Sequence, residues 1–205
     1  MKKNQSSKTW IIKQHRDQFF KKSKVLGYRS RSAFKLLELN KKFKFISKRT
    51  SLIDIGSSPG GWSQVASEMI KNGKIIAIDK KSMEGIKNVR FYQGDFSDSK
   101  IKNKLLNLLP EKVDVVISDM AADTTGNKSL DCIRTNLLCE DVIDFSVKII
   151  KPNGKVISKL FMGEDFLKVK KQAEKKFKKV NFFKPESSRD ESKETYIHCA
   201  YLNTL

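Results

Sequence analysis

The apolar positions of the chain fall into two regimes that meet near residue 50. Beyond it, short β-branched runs alternate with longer amphipathic stretches, the pattern of helices layered on a largely parallel sheet, an α/β architecture. The runs "SLIDI" (51–55), "KIIAID" (74–79), "VRFYQG" (89–94), "VDVVIS" (113–118), "GKVISKLF" (154–161), "VNFFKP" (180–185) and "ETYIHCAYL" (194–202) predict seven strands. Helical spacing predicts helices over 61–71, 98–108, 130–150 and 163–177. Only the polar "ESSRDESK" separates the last two strands, too short for the crossover that parallel neighbours need, so the final strand is expected to run antiparallel. Upstream, residues 30–46 bring Phe34, Leu37, Lys41 and Phe45 near one face, a helix that packs on the sheet and shows its lysines outward. Residues 1–24 read as an arm that orders on its partner. The organisation expected is a basic N-terminal arm or helix over 1–29 and a single domain over 30–205, with no repeat and no linker.

Composition narrows the partners. Of 42 Lys+Arg and 23 Asp+Glu, residues 1–50 hold 16 basic and only two acidic side chains, Asp17 and Glu38, so +14 of the +19 net charge sits in the first quarter. Such a block suits a polyphosphate, because each neutralised phosphate releases condensed counterions. The alternative is a solvated lysine-rich face. The three cysteines, Cys132, Cys139 and Cys199, are far apart, and His15 and His198 lie at opposite ends, so neither a disulfide framework nor a metal site is expected. No apolar run approaches the ~20 residues of a membrane span. Trp10, Ile11 and Ile12 are too short a core for a signal peptide, and the start is rich in Lys rather than Arg, unlike a transit peptide. A cytoplasmic protein without membrane contact is expected.

Chemistry concentrates at the strand ends. In "DIGSSPGGWSQ", Asp54 closes the first strand, Gly56 begins a turn, and Pro59, Gly60 and Gly61 let backbone approach a ligand before a helix starts at Trp62. No Lys-Ser/Thr follows Gly61, which argues against a nucleoside triphosphate loop. Ser58 stands where a dinucleotide fingerprint needs its second glycine, which disfavours a nicotinamide dehydrogenase. Asp79 ends the second strand, where a carboxylate can accept both ribose hydroxyls, and Asp95 follows the third, where one can meet a purine amine. Together they describe S-adenosyl-L-methionine; singly, each aspartate could be a loop or helix cap. Trp62 either touches that cofactor or fills the helix–sheet interface. Asp119 and Lys159 end neighbouring apolar strands, as a reactive pair or as a buried ion pair tying the strands together.

"YRSRSAFKLLEL", "DIGSSPGGWSQ", "GDF", "VDVVISDMA", "GKVISKLFMGEDF" and "KPESSRDESKETYI" resemble, in order, the motifs of the FtsJ/RlmE family of ribose 2′-O-methyltransferases. The resemblance covers nearly the whole chain, including "SSKTWIIKQHRDQFFKKSKVLGYRSRSAF". It implies a Rossmann-like S-adenosylmethionine-dependent fold with a seven-stranded, mostly parallel sheet, helices on both faces and the last strand antiparallel. It also implies a Lys-Asp-Lys-Glu constellation, carried here by Lys35, Asp119, Lys159 and Glu194. Lys159 would take the acceptor proton or steer the hydroxyl, and Asp119 would orient Lys159 near the methyl donor. The implied substrate is a uridine ribose in 23S ribosomal RNA, within the large (50S) subunit and late in its assembly, with the protein acting as a monomer. A tRNA ribose is the leading alternative substrate, and a non-catalytic RNA-binding assembly factor is the alternative of another class. One departure is "ADTTG" (122–126), where the family has Pro-Asn-x-Ser-Gly.

Overall fold

A computed structural model describes residues 17–109 and 111–203. Seven strands, β1 (Leu52–Ile55), β2 (Ile75–Asp79), β3 (Val89–Gln93), β4 (Val113–Ser118), β5 (Ile150–Phe161), β6 (Phe177–Phe183) and β7 (Glu194–Leu202), form one sheet in the order β3-β2-β1-β4-β5-β7-β6. Pairings from β3 through β5 are parallel, and β7 is antiparallel to both β5 and β6, as the short connection requires. The six helices among the described residues are α1 (Gln18–Val25), α2 (Ser32–Phe43), α3 (Gly61–Met69), α4 (Ser99–Leu108), α5 (Lys128–Ile149) and α6 (Phe166–Lys176).

The period of two along each strand sends alternate residues to opposite layers. Ile53, Ile55, Ile76, Ile78, Val116 and Val156 pack with Leu105, Val142, Ile143 and Val169 of α4, α5 and α6. Leu52, Ile75, Val115, Ile117 and Ile157 pack with Leu36, Leu39, Trp62 and Val65 of α2 and α3. Asp54 shares that second face and is held by the hydroxyl of Ser63 in α3, 2.6 Å from its Oδ2.

Several boundaries differ from the periodicity. The helix predicted over 30–46 ends at Phe43, because Lys44 turns left-handed (φ 48°) and the Asn40 side chain accepts the Phe45 and Ile46 amides. Strand β5 starts four residues before Gly154: the register shifts between Val113 and Val115, which pair with Ile150 and Lys155, so residues 151–154 bulge opposite Asp114. Lys151 anchors the bulge on Asp114 at 2.6 Å. Helix α6 begins at Phe166 rather than 163, and β6 occupies 177–183 rather than 180–185.

The arm expectation is corrected for residues 18–25, which order against the protein's own body. Asp17 caps α1 by accepting the Phe19 and Phe20 amides, and it pairs with Arg31. Phe19 packs on Phe34 with ring centres 5.5 Å apart. The part of the arm before residue 17 lies outside the described residues. His198 is a core residue, stacked on Phe43, and burial pushes its imidazole down to about 4.

Candidate active site

The parallel strands β1, β2, β3 and β4 all end at one edge of the sheet, where the order reverses beside β1, the place where open α/β sheets bind ligands. A cleft of about 480 Å³ opens there, lined by Gly56, Asp79, Asp95 and Asp119 together with Ile78, Phe96 and Met120. Gly56 adopts φ 79°, and a Cβ there would run into the Met120 side chain, so only glycine lets the turn after β1 pass beneath the loop after β4. Gly60 and Gly61 are not among the residues lining this cleft. Gly60 turns the chain (φ 107°) against Met83, Ile86 and Arg29, and Gly61 starts α3 against Ser30. Arg29 fixes the facing loop by donating to the carbonyls of Glu84 (2.7 Å) and Gly85 (2.8 Å).

Asp79 and Asp95 are loop caps and cleft walls at once. Asp79 accepts the Ser58 amide at 2.9 Å and the Lys81 amide at 2.7 Å. Asp95 accepts the Ser97 amide at 2.8 Å through one oxygen. Each carboxylate oxygen has two lone pairs, so both residues keep capacity for a ligand. Across the mouth, Lys80 and Asp123 pair at 3.0 Å, the latter within the departing "ADTTG" stretch.

A smaller cavity of about 230 Å³ meets the cleft at Gly56, Ser58 and Asp119. Pro59, Trp62, Arg31, Asp54 and Ser57 line it. Trp62 is 2% exposed and donates its indole N–H to the Ser32 carbonyl at 2.8 Å, so it serves the α3–sheet interface as well as the cavity wall. Three buried polar atoms of this cavity's walls, Asp54 Oδ1, Ser57 Oγ and Arg31 Nε, have no hydrogen-bond partner. Burial pushes the Asp54 carboxyl up to about 7, with Ser63 pulling it back and Asp119 and Asp79 adding to the rise. An unpaired buried acceptor and an unpaired guanidinium N–H are costly unless a ligand completes them. A ligand carrying both an ammonium and a carboxylate would satisfy both, as the amino-acid end of S-adenosylmethionine does.

Beside Asp119 the four residues of the Lys-Asp-Lys-Glu set are contiguous. Lys159, on β5, reaches Asp119 Oδ1 at 2.9 Å and the Asp119 carbonyl at 2.7 Å, and lies 3.8 Å from Glu194 Oε2. Lys35, on α2, meets Glu194 Oε1 at 2.6 Å. Burial alone would push the Lys159 ammonium down, but Asp119 and Glu194 outweigh it and leave its pKa raised. Burial would likewise raise Asp119, and Lys159 and Lys35 outweigh that, holding it below the usual carboxylate range. The resting site therefore holds Lys159 as an ammonium and Asp119 as a carboxylate.

Sequence reasoning passed over three partners. Tyr196 donates to Asp119 Oδ1 at 2.6 Å, Ser188 donates to Glu194 Oε1 at 2.7 Å, and Asp54 was read only as a strand end. Tyr196 follows Glu194 by two in a strand and so shares its face, a signal that period-two alternation carries. Ser188 sits in an irregular loop, where spacing carries none.

The model of the FtsJ-like methyltransferase family matches residues 28–202. A Pelagibacter ubique protein named ribosomal RNA large subunit methyltransferase E is 46% identical over 202 residues, covering 98% of this chain and 100% of its own. The crystal structure of a candidate ribosomal RNA methyltransferase from Plasmodium falciparum matches with a TM-score of 0.77 at 35% identity, over 85% of this chain and 98% of that one. Human methyltransferase-like protein 13, crystallised with S-adenosylhomocysteine, shares the fold at a TM-score of 0.59 and 15% identity, over 82% of this chain and 79% of that one.

Proposed function

The chain belongs to the FtsJ-like methyltransferase family, and from that premise we propose that it methylates a ribose 2′-hydroxyl, that of a uridine, in large-subunit ribosomal RNA. The observation that carries this reading is the contiguous Lys35, Asp119, Lys159 and Glu194 network abutting a cleft suited to a nucleoside. S-adenosylmethionine supplies an electrophilic methyl carbon on a sulfonium. Asp79 and Asp95 bind the ribose and adenine of that donor, and Asp54 and Arg31 take its ammonium and carboxylate.

Methyl transfer to oxygen is an in-line displacement, so the chain's task is to aim a lone pair and find a place for a proton. A neutral lysine would be a competent base, but the raised pKa of Lys159 makes the ammonium the resting form. Lys159 thus acts as a positioning donor to the 2′-oxygen, with Lys35 and Glu194 holding the ribose. Orientation of this kind can supply ~7 kcal/mol or more of barrier reduction. As the oxygen bonds to carbon its proton becomes strongly acidic, so a carboxylate of depressed pKa, Asp119, suffices to receive it. A rate set by a neutral Lys159 would rise about tenfold per pH unit through the neutral range. The positioning role predicts a single-turnover rate that stays flat there.

The substrate is the RNA of the assembled 50S particle, and the protein works in the cytoplasm as a monomer without a metal. Among the described residues no helix is long and apolar enough to cross a membrane, and no group of three or more His, Cys, Asp or Glu could hold a metal ion. Ribose-methylation mapping of ribosomal RNA from cells lacking the protein should show the loss of one large-subunit uridine methylation. An unchanged ribosomal map with a lost tRNA methylation would assign the tRNA substrate instead.

A further inference from the structure

The chemistry occupies one edge of the sheet, yet another large cavity lies at the opposite edge. A groove of about 550 Å³ opens where β1, β2, β3 and β4 begin, with Leu52, Ile75, Val89 and Val113 in its wall. Strands of four to six residues at ~3.3 Å per residue put roughly 13–20 Å between the two edges. The groove carries four exposed cations, Lys71, Lys74, Arg90 and Lys112, against a single carboxylate, Glu111. No ion pair engages any of these four among the described residues. Some surface lysines elsewhere do find acids, as Lys102 meets Asp141, Lys168 meets Glu140, Lys176 meets Asp144 and Lys151 meets Asp114, whereas the groove gathers four cations that do not into one concavity. Uncompensated like charges gathered in one concavity focus a positive potential that draws in polyanions.

We infer that this groove is a second RNA-backbone contact, seating phosphates of a segment other than the one that presents the reacting ribose. The inference rests on the reading of RNA as the substrate. A strand entering the acceptor site would have to wrap past the whole sheet to reach the groove, whereas a folded RNA can offer two segments at once. Lysine and arginine contacts to phosphate position a nucleic acid without reading its sequence. The groove therefore favours a folded particle over a short single strand, and it leaves the donor cleft untouched.

The test compares wild type with a Lys71→Gln/Lys74→Gln/Arg90→Gln/Lys112→Gln variant, and with the milder Arg90→Gln/Lys112→Gln pair, on large-subunit particles and on a short single-stranded oligonucleotide. Melting temperature and S-adenosylmethionine affinity serve as controls for the fold. The expected result is a KM for particles raised about tenfold or more at moderate salt, with the oligonucleotide reaction unchanged. Each lost phosphate contact should also remove about one unit from the slope of log K against log salt. An unchanged particle KM and salt slope overturn the inference. So does weakened binding to particles with undiminished binding to protein-free ribosomal RNA, which would make the partner an acidic ribosomal protein surface. Absence of turnover by the wild type on every RNA would instead defeat the substrate reading.

Discussion

Asp54 is the residue whose ionisation the donor should control. Its carboxyl, pushed up to about 7, is partly protonated at neutral pH, and an incoming ammonium favours the ionised form. Above pH 7 the carboxylate is already present, and below it binding must expel a proton. The affinity for S-adenosylmethionine should therefore fall as pH drops below about 7, approaching tenfold per unit. Calorimetry across that range checks it, and Asp54→Asn should bind weakly with a flat profile. Tyr196→Phe removes the hydrogen bond to Asp119 Oδ1. It should slow methyl transfer about tenfold at near-normal donor affinity, because a buried hydrogen bond to a charged group contributes ~1.5–3 kcal/mol. A single-turnover assay separates that loss from misfolding. Asp95→Ala should raise the Kd for the donor before it alters the rate of transfer, as measured by the same calorimetry.

At the scale of elements, the turn between β1 and α3 is fixed by clashes that a sequence only hints at. Gly56→Ala adds a methyl against Met120 at a positive φ, so it should destabilise the protein by ~1–3 kcal/mol and weaken donor binding, read by urea unfolding and calorimetry. The strands and the antiparallel β7 were legible because period-two runs and a short connection constrain them directly. The bulge at residues 151–154 was not, since Lys151–Asp114 is a contact between strands 37 positions apart. Helix α1 was legible only as an alternative to an arm, because what seats it on the body are contacts between residues apart in sequence, Asp17 with Arg31 and Phe19 with Phe34. At the site, Asp119 and Lys159 were legible as the ends of neighbouring apolar strands, whereas Lys35 and Glu194 were legible only through their motifs. Their charge states were not, because the sign of the Lys159 shift depends on distances to Asp119 and Glu194.

For the whole molecule, basic side chains have two structural addresses, only one of them drawn from the basic first quarter. Lys35 and Arg31 come from that quarter and join the acceptor site and the donor-side cavity respectively, while Lys71, Lys74, Arg90 and Lys112, from outside it, gather at the far edge of the sheet. A protein gripping RNA at both edges should lose affinity for particles steeply with salt, and more steeply than for an oligonucleotide. The central claim, that Lys159 beside Asp119 aims a ribose oxygen at the methyl donor, is tested most directly by single-turnover transfer of labelled methyl from S-adenosylmethionine to large-subunit particles. Wild type and Lys159→Ala should bind the donor alike, with label on a ribose 2′-oxygen for the wild type and transfer by the variant reduced about 10³-fold or more. Near-normal transfer by Lys159→Ala, or label found on a base, would contradict it.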